Sequence, residues 1–404
     1  MKYFRQLRTL AFYFAIPAIS AATPLLVFPA LTSTYGATGL AAIGIGQSLG
    51  STAAVIGELG WGVLGPQRVA RADNAERTRL FQSALATKIV ALSVVVPAAA
   101  IAAFLTAPDY KLASSAIAVA FGFAAVSPSW FLIGLNRPML ILLGEALPRL
   151  TMSVLCAAAI LLGAPLETYG IALIVAAALT WIIVARITQQ RVWPRWEAFR
   201  TGPAVIRHQM PLTGGRIVSV LYTSLPVTIV ALVSPGSTAT FTAADRLMRM
   251  ALSLLGGIPS RLQSWVGALD GEARVKRSRQ SLLMNVALGL VAATGYAITA
   301  PLIAPFIFSN SVTLGFETTV LSGAVILTIC ASRGFGLSLV AEGKANWIAA
   351  ANVGAAITGV IATFTLAALW ETNGAILGGL AAEMVGLMIQ AGILFFGSRL
   401  KRRG

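Results

Sequence analysis

Long apolar runs, each ended by a short polar stretch, repeat along the whole chain. They lie at 10–31, 39–64, 81–106, 112–135, 139–162 and 168–185, and then at 212–233, 239–269, 281–308, 316–340, 346–370 and 374–397. A bilayer span needs roughly 20 consecutive apolar residues. Every run meets that length or comes near it, the sixth being short and the eighth long. The pattern predicts an all-α integral membrane protein of about 12 transmembrane helices. Composition agrees: 57% of the residues are hydrophobic and 11% charged, where a soluble domain carries about 25% charged residues. A water-soluble globular fold is excluded. Lys2, Arg5 and Arg8 precede the first run as in a secretory signal. That run outlasts an apolar signal region of about 7–15 residues, so a retained first helix is expected.

The net charge of +16 would suggest nucleic acid in a soluble protein, but the positions of the charges argue otherwise. Most of the 30 basic residues fall in alternate loops. These are the N-terminal stretch, the loop with Arg68, Arg71, Arg77 and Arg79, Arg137, the stretch from Arg186 to Arg207, the group Arg274, Lys276, Arg277 and Arg279, Lys344, and the tail Arg399, Lys401, Arg402 and Arg403. The intervening loops hold Lys111 beside Asp109, Glu167, Glu317 and Glu371. Basic loops stay cytoplasmic. The expected topology places both termini inside, in the cytoplasmic membrane, with anionic membrane lipids as partners and no nucleic acid. The other loops, such as 33–38, 234–238 and 371–373, are too short for an external domain. The longest break, 189–211, carries Trp193, Arg195 and Trp196 and reads as a cytoplasmic interfacial linker.

A shift of the sequence by 200 residues lays Arg77-Thr78-Arg79 on Arg277-Ser278-Arg279 and Ala37-Thr38 on Ser237-Thr238. Each half has an even number of runs, so both run in one direction, as in duplicated transporters. The expected organisation is an N-terminal lobe at 1–188, the linker at 189–211 and a C-terminal lobe at 212–404, with two six-helix lobes around a central cleft.

A charge at mid-span costs roughly 2.5–3.5 kcal/mol on insertion scales, so such residues should face protein or a wet cavity. Asp245, Arg246 and Arg249 begin about 9 Å into the eighth run. Asp245 and Arg249 can pair one turn apart, while Arg246 points about 100° away. An ion pair with a snorkelling arginine and a cationic lining that meets phosphate through a planar fork both fit. Glu145 and Arg149 repeat the same spacing, Arg149 lying about 15 Å deep. Lys88 and Arg333 stand about 10 Å in with no local partner; Lys88 can snorkel, and Arg333 beside Ser332 and Gly334 suits a lumen. Glu383, about 14 Å into the last run, fits a coupling proton carrier or a cross-helix pair. Glu58 is expected to pair with the loop of Arg68 and Arg71. Arg216 lies close enough to water to need little explanation, though Gly214-Gly215 beside it permit close approach of a ligand or helix, and for Arg261 after Pro259 snorkelling and a functional role both fit. A phosphate-binding loop ending Gly-Lys-Ser/Thr is absent from the sequence, and the single histidine, His208, leaves little for a triad or a His-based metal site. Neither an enzyme nor a cofactor is expected, and no metal site. Cys156 and Cys330 sit within apolar runs, which argues against a disulfide framework.

The stretch Pro29-Ala30-Leu31-Thr32 through Tyr35-Gly36-Ala37-Thr38-Gly39-Leu40 is a short turn between the first two runs. It leads to Glu58-Leu59-Gly60-Trp61-Gly62 and Gln67-Arg68-Val69-Ala70-Arg71. With Ala243-Ala244-Asp245-Arg246-Leu247, Glu342-Gly343-Lys344 and the acidic last run, this resembles the Wzx-type polysaccharide flippases of the multidrug/oligosaccharidyl-lipid/polysaccharide exporter superfamily. The resemblance implies a bacterial protein that moves a polyprenyl-pyrophosphate-linked oligosaccharide to the outer leaflet by alternating access. The lipid-linked oligosaccharide would be its partner, with other membrane proteins of polysaccharide assembly as a further class. Arg246, Arg249, Arg149, Arg333 and Lys88 are then the expected contacts for the anionic headgroup, and Glu383, Asp245 and Glu145 the coupling or ion-pair carboxylates. A cation-coupled multidrug exporter of the same superfamily is the alternative, and a membrane component of glycan assembly without transport is a third.

Overall fold

The computed structural model describes the backbone of residues 2–267, 269, 271–344 and 346–400; side chains within 2–24, 138, 201, 208–217, 219, 221, 257, 260, 261, 264 and 396–400 lie outside the description. Lys2, Arg5, Arg8, His208, Arg216, Arg261 and Arg399, and the tail residues Lys401, Arg402 and Arg403, therefore fall outside the described residues as sites. The described chain is helical with no strand. It divides into two compact units, Met1–Val220 and Leu221–Gly404. The expected edge at 211/212 and the observed one at 220/221 fall on the same helix.

In the first unit the helices are α1 (Lys2–Glu58), α2 (Trp61–Arg71), α3 (Asn74–Thr106), α4 (Lys111–Phe123), α5 (Ser129–Gly134), α6 (Pro138–Ile141), α7 (Leu147–Leu161) and α8 (Glu167–Ile187). Helix α9 (Trp196–Ser224) carries the chain into the second unit, which holds α10 (Pro226–Val233), α11 (Thr238–Leu255), α12 (Gly257–Gly267), α13 (Gly271–Ile307), α14 (Phe316–Ala341) and α15 (Asn346–Leu400). Two of these are pairs of helices joined at a kink, α1 at Gly36 and α15 at Trp370-Glu371. All twelve apolar runs fall on helices once the kinked and broken ones are counted by run.

Several runs that the pattern draws as continuous are broken, and one is locally rewound. The run at 112–135 is interrupted at Ser127-Pro128 between α4 and α5, and the run at 212–233 at Leu225-Pro226, because proline has no N–H to continue the ladder. The run at 139–162 passes through a π-helical turn, Leu142–Ala146, just before Pro148. The run at 239–269 breaks at Gly256. Two basic stretches expected as loops are instead first turns of helices. Helix α3 begins at an Asp73 cap whose carboxylate accepts from Glu76 N at 2.8 Å, so Arg77 and Arg79 are helical. Arg274, Lys276, Arg277 and Arg279 lie on α13.

The repeat persists at these starts. Arg77 Nε donates to Val69 O at 3.1 Å, and Arg277 Nη1 donates to Trp265 O at 3.1 Å. Both arginines reach back to a carbonyl of the short helix before them, α2 or α12.

Helix association in lipid draws little on the hydrophobic effect and depends on close packing and hydrogen bonds. In the first unit Gly46 and Gly50, one turn apart on α1, press on α4. A methyl at Gly46 would overlap the Ser114 carbonyl oxygen, and one at Gly50 that of Ala118. In the second unit α15 folds back on itself, Gly354 lying against Ile389 and Gly378 against Thr363. The outward faces are apolar: on α13 Val291 is 72% and Phe306 81% exposed, as acyl chains require. Near the basic end of the first unit, Trp61, Phe81, Trp130, Phe131 and Trp181 form a buried aromatic cluster, with Phe81 stacked on Trp181 at 4.7 Å between centroids.

Gly36 adopts φ 62°, ψ −156°, a conformation essentially reserved for glycine. No atom lies within 4 Å of a Cβ built there, so the cost of a side chain comes from the backbone alone. Gly36→Ala is expected to cost about 1–3 kcal/mol, read as a lowered thermal midpoint of the purified protein; an unchanged midpoint would mean that the turn is not built this way.

Candidate functional site

Two charged clusters form inside the spans, one in each unit, and each is built on a proline break. In the first unit the chain leaves α4 through Ser127-Pro128-Ser129. Both hydroxyls turn to Glu145, Ser127 Oγ donating to Oε1 at 3.1 Å and Ser129 Oγ to Oε2. Glu145 sits in the π-helical turn Leu142–Ala146, an irregularity that is frequent at functional sites. Arg149 Nη2 stands 3.9 Å from Glu145 Oε1, and its side chain is 43% exposed. The carbonyl of Ser127 faces Lys88 Nζ at 3.5 Å, and the ammonium lies 5.8 Å from the Trp130 ring centre. The neighbouring Thr87 accepts from Trp61 Nε1 at 2.9 Å, which ties this cluster to the aromatic core.

Lys88 thus corrects the expectation that it snorkels. It is 1% exposed, enclosed within the unit. Its ammonium meets the Ser127 carbonyl and the Trp130 ring rather than bulk water. Removing one member of such a buried arrangement leaves its partner, here the Ser127 carbonyl, unsatisfied, at about 1–3 kcal/mol. Lys88→Met is accordingly expected to lower the thermal midpoint; an unchanged midpoint would show that the ammonium contributes nothing to folding.

In the second unit Pro226 ends α9 at Ser224, and the last carbonyls of a helix have no partner within it. One of them, Thr223 O, accepts from Arg249 Nη2. Arg249 Nε also donates to Asp245 Oδ2 at 2.6 Å, so the expected pair forms, and the arginine spans α11 and the end of α9. Tyr296 OH of α13 donates to Ala244 O at 3.0 Å and steadies α11 beside Asp245. A cavity of about 100 Å³ opens among Tyr222, Thr223, Asp245, Arg249, Ser322, Ile376 and Glu383. It has room for several waters, since one needs roughly 10–15 Å³ by this measure. Glu383 enters it from the second half of α15 and makes no hydrogen bond or ion pair among the described residues. Arg333, on α14, lies within coulombic reach of Glu383. Arg249 is 44% exposed despite its mid-span position.

The tertiary structure therefore joins Lys88, Glu145 and Arg149 in one unit and Asp245, Arg249 and Glu383 in the other. Arg246 is partly buried, does not line the cavity and is engaged by other groups. The Glu58 carboxylate lies against the backbone of Gly62 on α2. Ser127, Ser129, Thr223 and Ser322 escaped the sequence reading; Ser-Pro-Ser within an apolar run and Pro226 were the signals that could have revealed the first three. Among the described residues there is no cluster of His, Cys, Asp and Glu fit for a metal ion.

The family model described as "Polysaccharide biosynthesis protein" matches residues 7–261, more than half of the chain. The chain belongs to the polysaccharide biosynthesis protein family. The likeness of this family member to solved structures extends over its whole length. It matches an inward-facing multidrug-resistance MATE transporter of the MOP superfamily at 15% identity and TM-score 0.68, covering 97% of this chain and 98% of that one. It matches the lipid II flippase MurJ in an inward closed conformation at 14% identity and TM-score 0.67, covering 96% and 87%. The MATE multidrug transporter DinF-BH gives 17% identity and TM-score 0.59 over 98% and 95%. At these identities the likeness concerns the fold: this polysaccharide biosynthesis protein has the helical architecture of MOP-superfamily transporters and flippases. A search of curated protein sequences finds no match.

Proposed function

We propose that this protein moves a polyprenyl-pyrophosphate-linked oligosaccharide from the inner to the outer leaflet of a bacterial cytoplasmic membrane, by alternating access, for cell-surface polysaccharide assembly. Membership of the polysaccharide biosynthesis family supports a glycan substrate. The observation that carries the reading is Arg249, a guanidinium held by Asp245 and Thr223 yet 44% exposed beside a cavity in the span region. A fixed planar fork of this kind suits a diphosphate, which it can meet through paired hydrogen bonds. Arg149, 43% exposed and 3.9 Å from Glu145, is a second such cation in the first unit, and Arg333 adds a third. Lys88, enclosed by Trp130 and Ser127, organises the first unit and leaves headgroup contact to the arginines. Asp245 and Glu145 act as positioning residues that hold their arginines, and Glu383 is the carboxylate available for a coupling cation. The prenyl chain stays in the bilayer, and both termini lie on the basic, cytoplasmic side.

The second reading, a cation-coupled multidrug exporter, is favoured by one observation: Asp245 and Glu383 put two carboxylates beside a single arginine in that cavity. One experiment separates them. The purified protein is reconstituted in vesicles carrying a polyprenyl-pyrophosphate-linked oligosaccharide, and an impermeant lectin reports which leaflet holds the glycan. Leaflet exchange in minutes, lost in Arg249→Ala protein that still inserts, supports the flippase. Absent exchange with efflux of a cationic dye supports the exporter.

A further inference from the structure

The basic end of the first unit holds a second, larger cavity, of about 740 Å³, which neither charged cluster uses. Arg79, Thr78 and Ser83 of α3 line one side, and Arg191 and Arg195 of the segment between α8 and α9 line the other. Glu76 and Glu197 also border it, leaving cations in excess. None of the three guanidinium groups makes a hydrogen bond or an ion pair among the described residues. The backbone that carries Arg191 and Arg195 is nevertheless held in place. The buried amide of Gln82 accepts from Arg195 N at 3.0 Å and donates to Arg191 O at 3.4 Å. Between them, Trp181 Nε1 donates to Val192 O at 2.8 Å. Three side-chain hydrogen bonds thus clamp this segment onto the unit.

The volume lies within the 300–1,000 Å³ range typical of small-molecule sites. Arginine forks and hydroxyls around an otherwise open space are the chemistry that recognises phosphate oxygens. Beside the cavity, Trp193 is 67% and Trp196 76% exposed. Indole rings at such positions settle at the headgroup level of a bilayer, which would bring lipid phosphates to the mouth of the cavity. We propose that this cavity binds the phosphate headgroup of an anionic phospholipid, at a site separate from the span-region clusters.

The test uses the full-length protein in nanodiscs of phosphatidylcholine with one quarter phosphatidylglycerol, and native mass spectrometry to count retained phosphatidylglycerol. Arg79→Gln/Arg191→Gln/Arg195→Gln removes the three charge-assisted forks offered to one phosphate and should lower retention about tenfold or more. Arg186→Gln/Arg200→Gln, exposed and outside the cavity, should leave it unchanged. An unaltered thermal midpoint of the triple variant in pure phosphatidylcholine separates loss of binding from loss of fold. Equal losses in both variants would reduce the effect to general surface charge and overturn the site. Displacement of the lipid by inorganic phosphate would show that a free phosphate is the ligand and overturn the lipid assignment.

Discussion

If the protein moves a lipid-linked glycan as proposed, Arg249→Ala is expected to lower its leaflet exchange by about a hundredfold while the protein remains in the membrane. The magnitude follows from truncating one partner of a charged pair at a binding site, which costs about 2–5 kcal/mol. The lower part of that range is used because Arg249 is partly exposed. The expected loss has two sources: the guanidinium would no longer be available to the proposed headgroup, and Asp245 and Thr223 O would lose their partner. A double-mutant cycle resolves them. If Asp245 acts by holding Arg249, Asp245→Asn should lower exchange by a smaller factor, and adding it to Arg249→Ala should cost little more. Additive losses would mean that Asp245 works independently, as a cation site would. Full exchange in Arg249→Ala would remove this arginine from the proposed mechanism.

The second large effect is on the fold. Gly50→Val should leave little monodisperse protein on size exclusion and a clearly lower thermal midpoint. A side chain at Gly50 meets the carbonyl oxygen of Ala118, a backbone atom that cannot rotate away. Overpacking typically costs about 1–3 kcal/mol, and the upper end applies where backbone opposes backbone. Gly46, one turn earlier, meets the Ser114 oxygen, so Gly46→Val/Gly50→Val should abolish folding. As a control, Gly295→Ala places its methyl in open space and should pass unnoticed. A stable Gly50→Val protein would show that α1 and α4 do not approach as described.

The candidate site is partly legible in the chain. Asp245 and Arg249, like Glu145 and Arg149, are one helical turn apart, so their pairing follows from helix geometry, and both pairs form. Lys88 departs from the snorkelling that its depth predicts because its exposure depends on Trp130, which is far away in sequence and close in space. The hydroxyl partners of Glu145, Ser127 and Ser129, come from the break that opens α5 for the same reason. Glu383 is flagged by its depth, but that it shares a cavity with Arg249 depends on how α15 folds back.

Hydropathy along the chain is sufficient to establish a helical membrane protein, since a span must satisfy its own backbone hydrogen bonds and show lipid an apolar surface. Local sequence also sets the charged pairs and, through proline, the places where helices must stop. What only the tertiary structure decides is which carbonyl each break hands to which cation: Ser127 to Lys88, Thr223 to Arg249. Such partners are chosen by helices meeting side by side, and no periodicity in a single chain records that meeting.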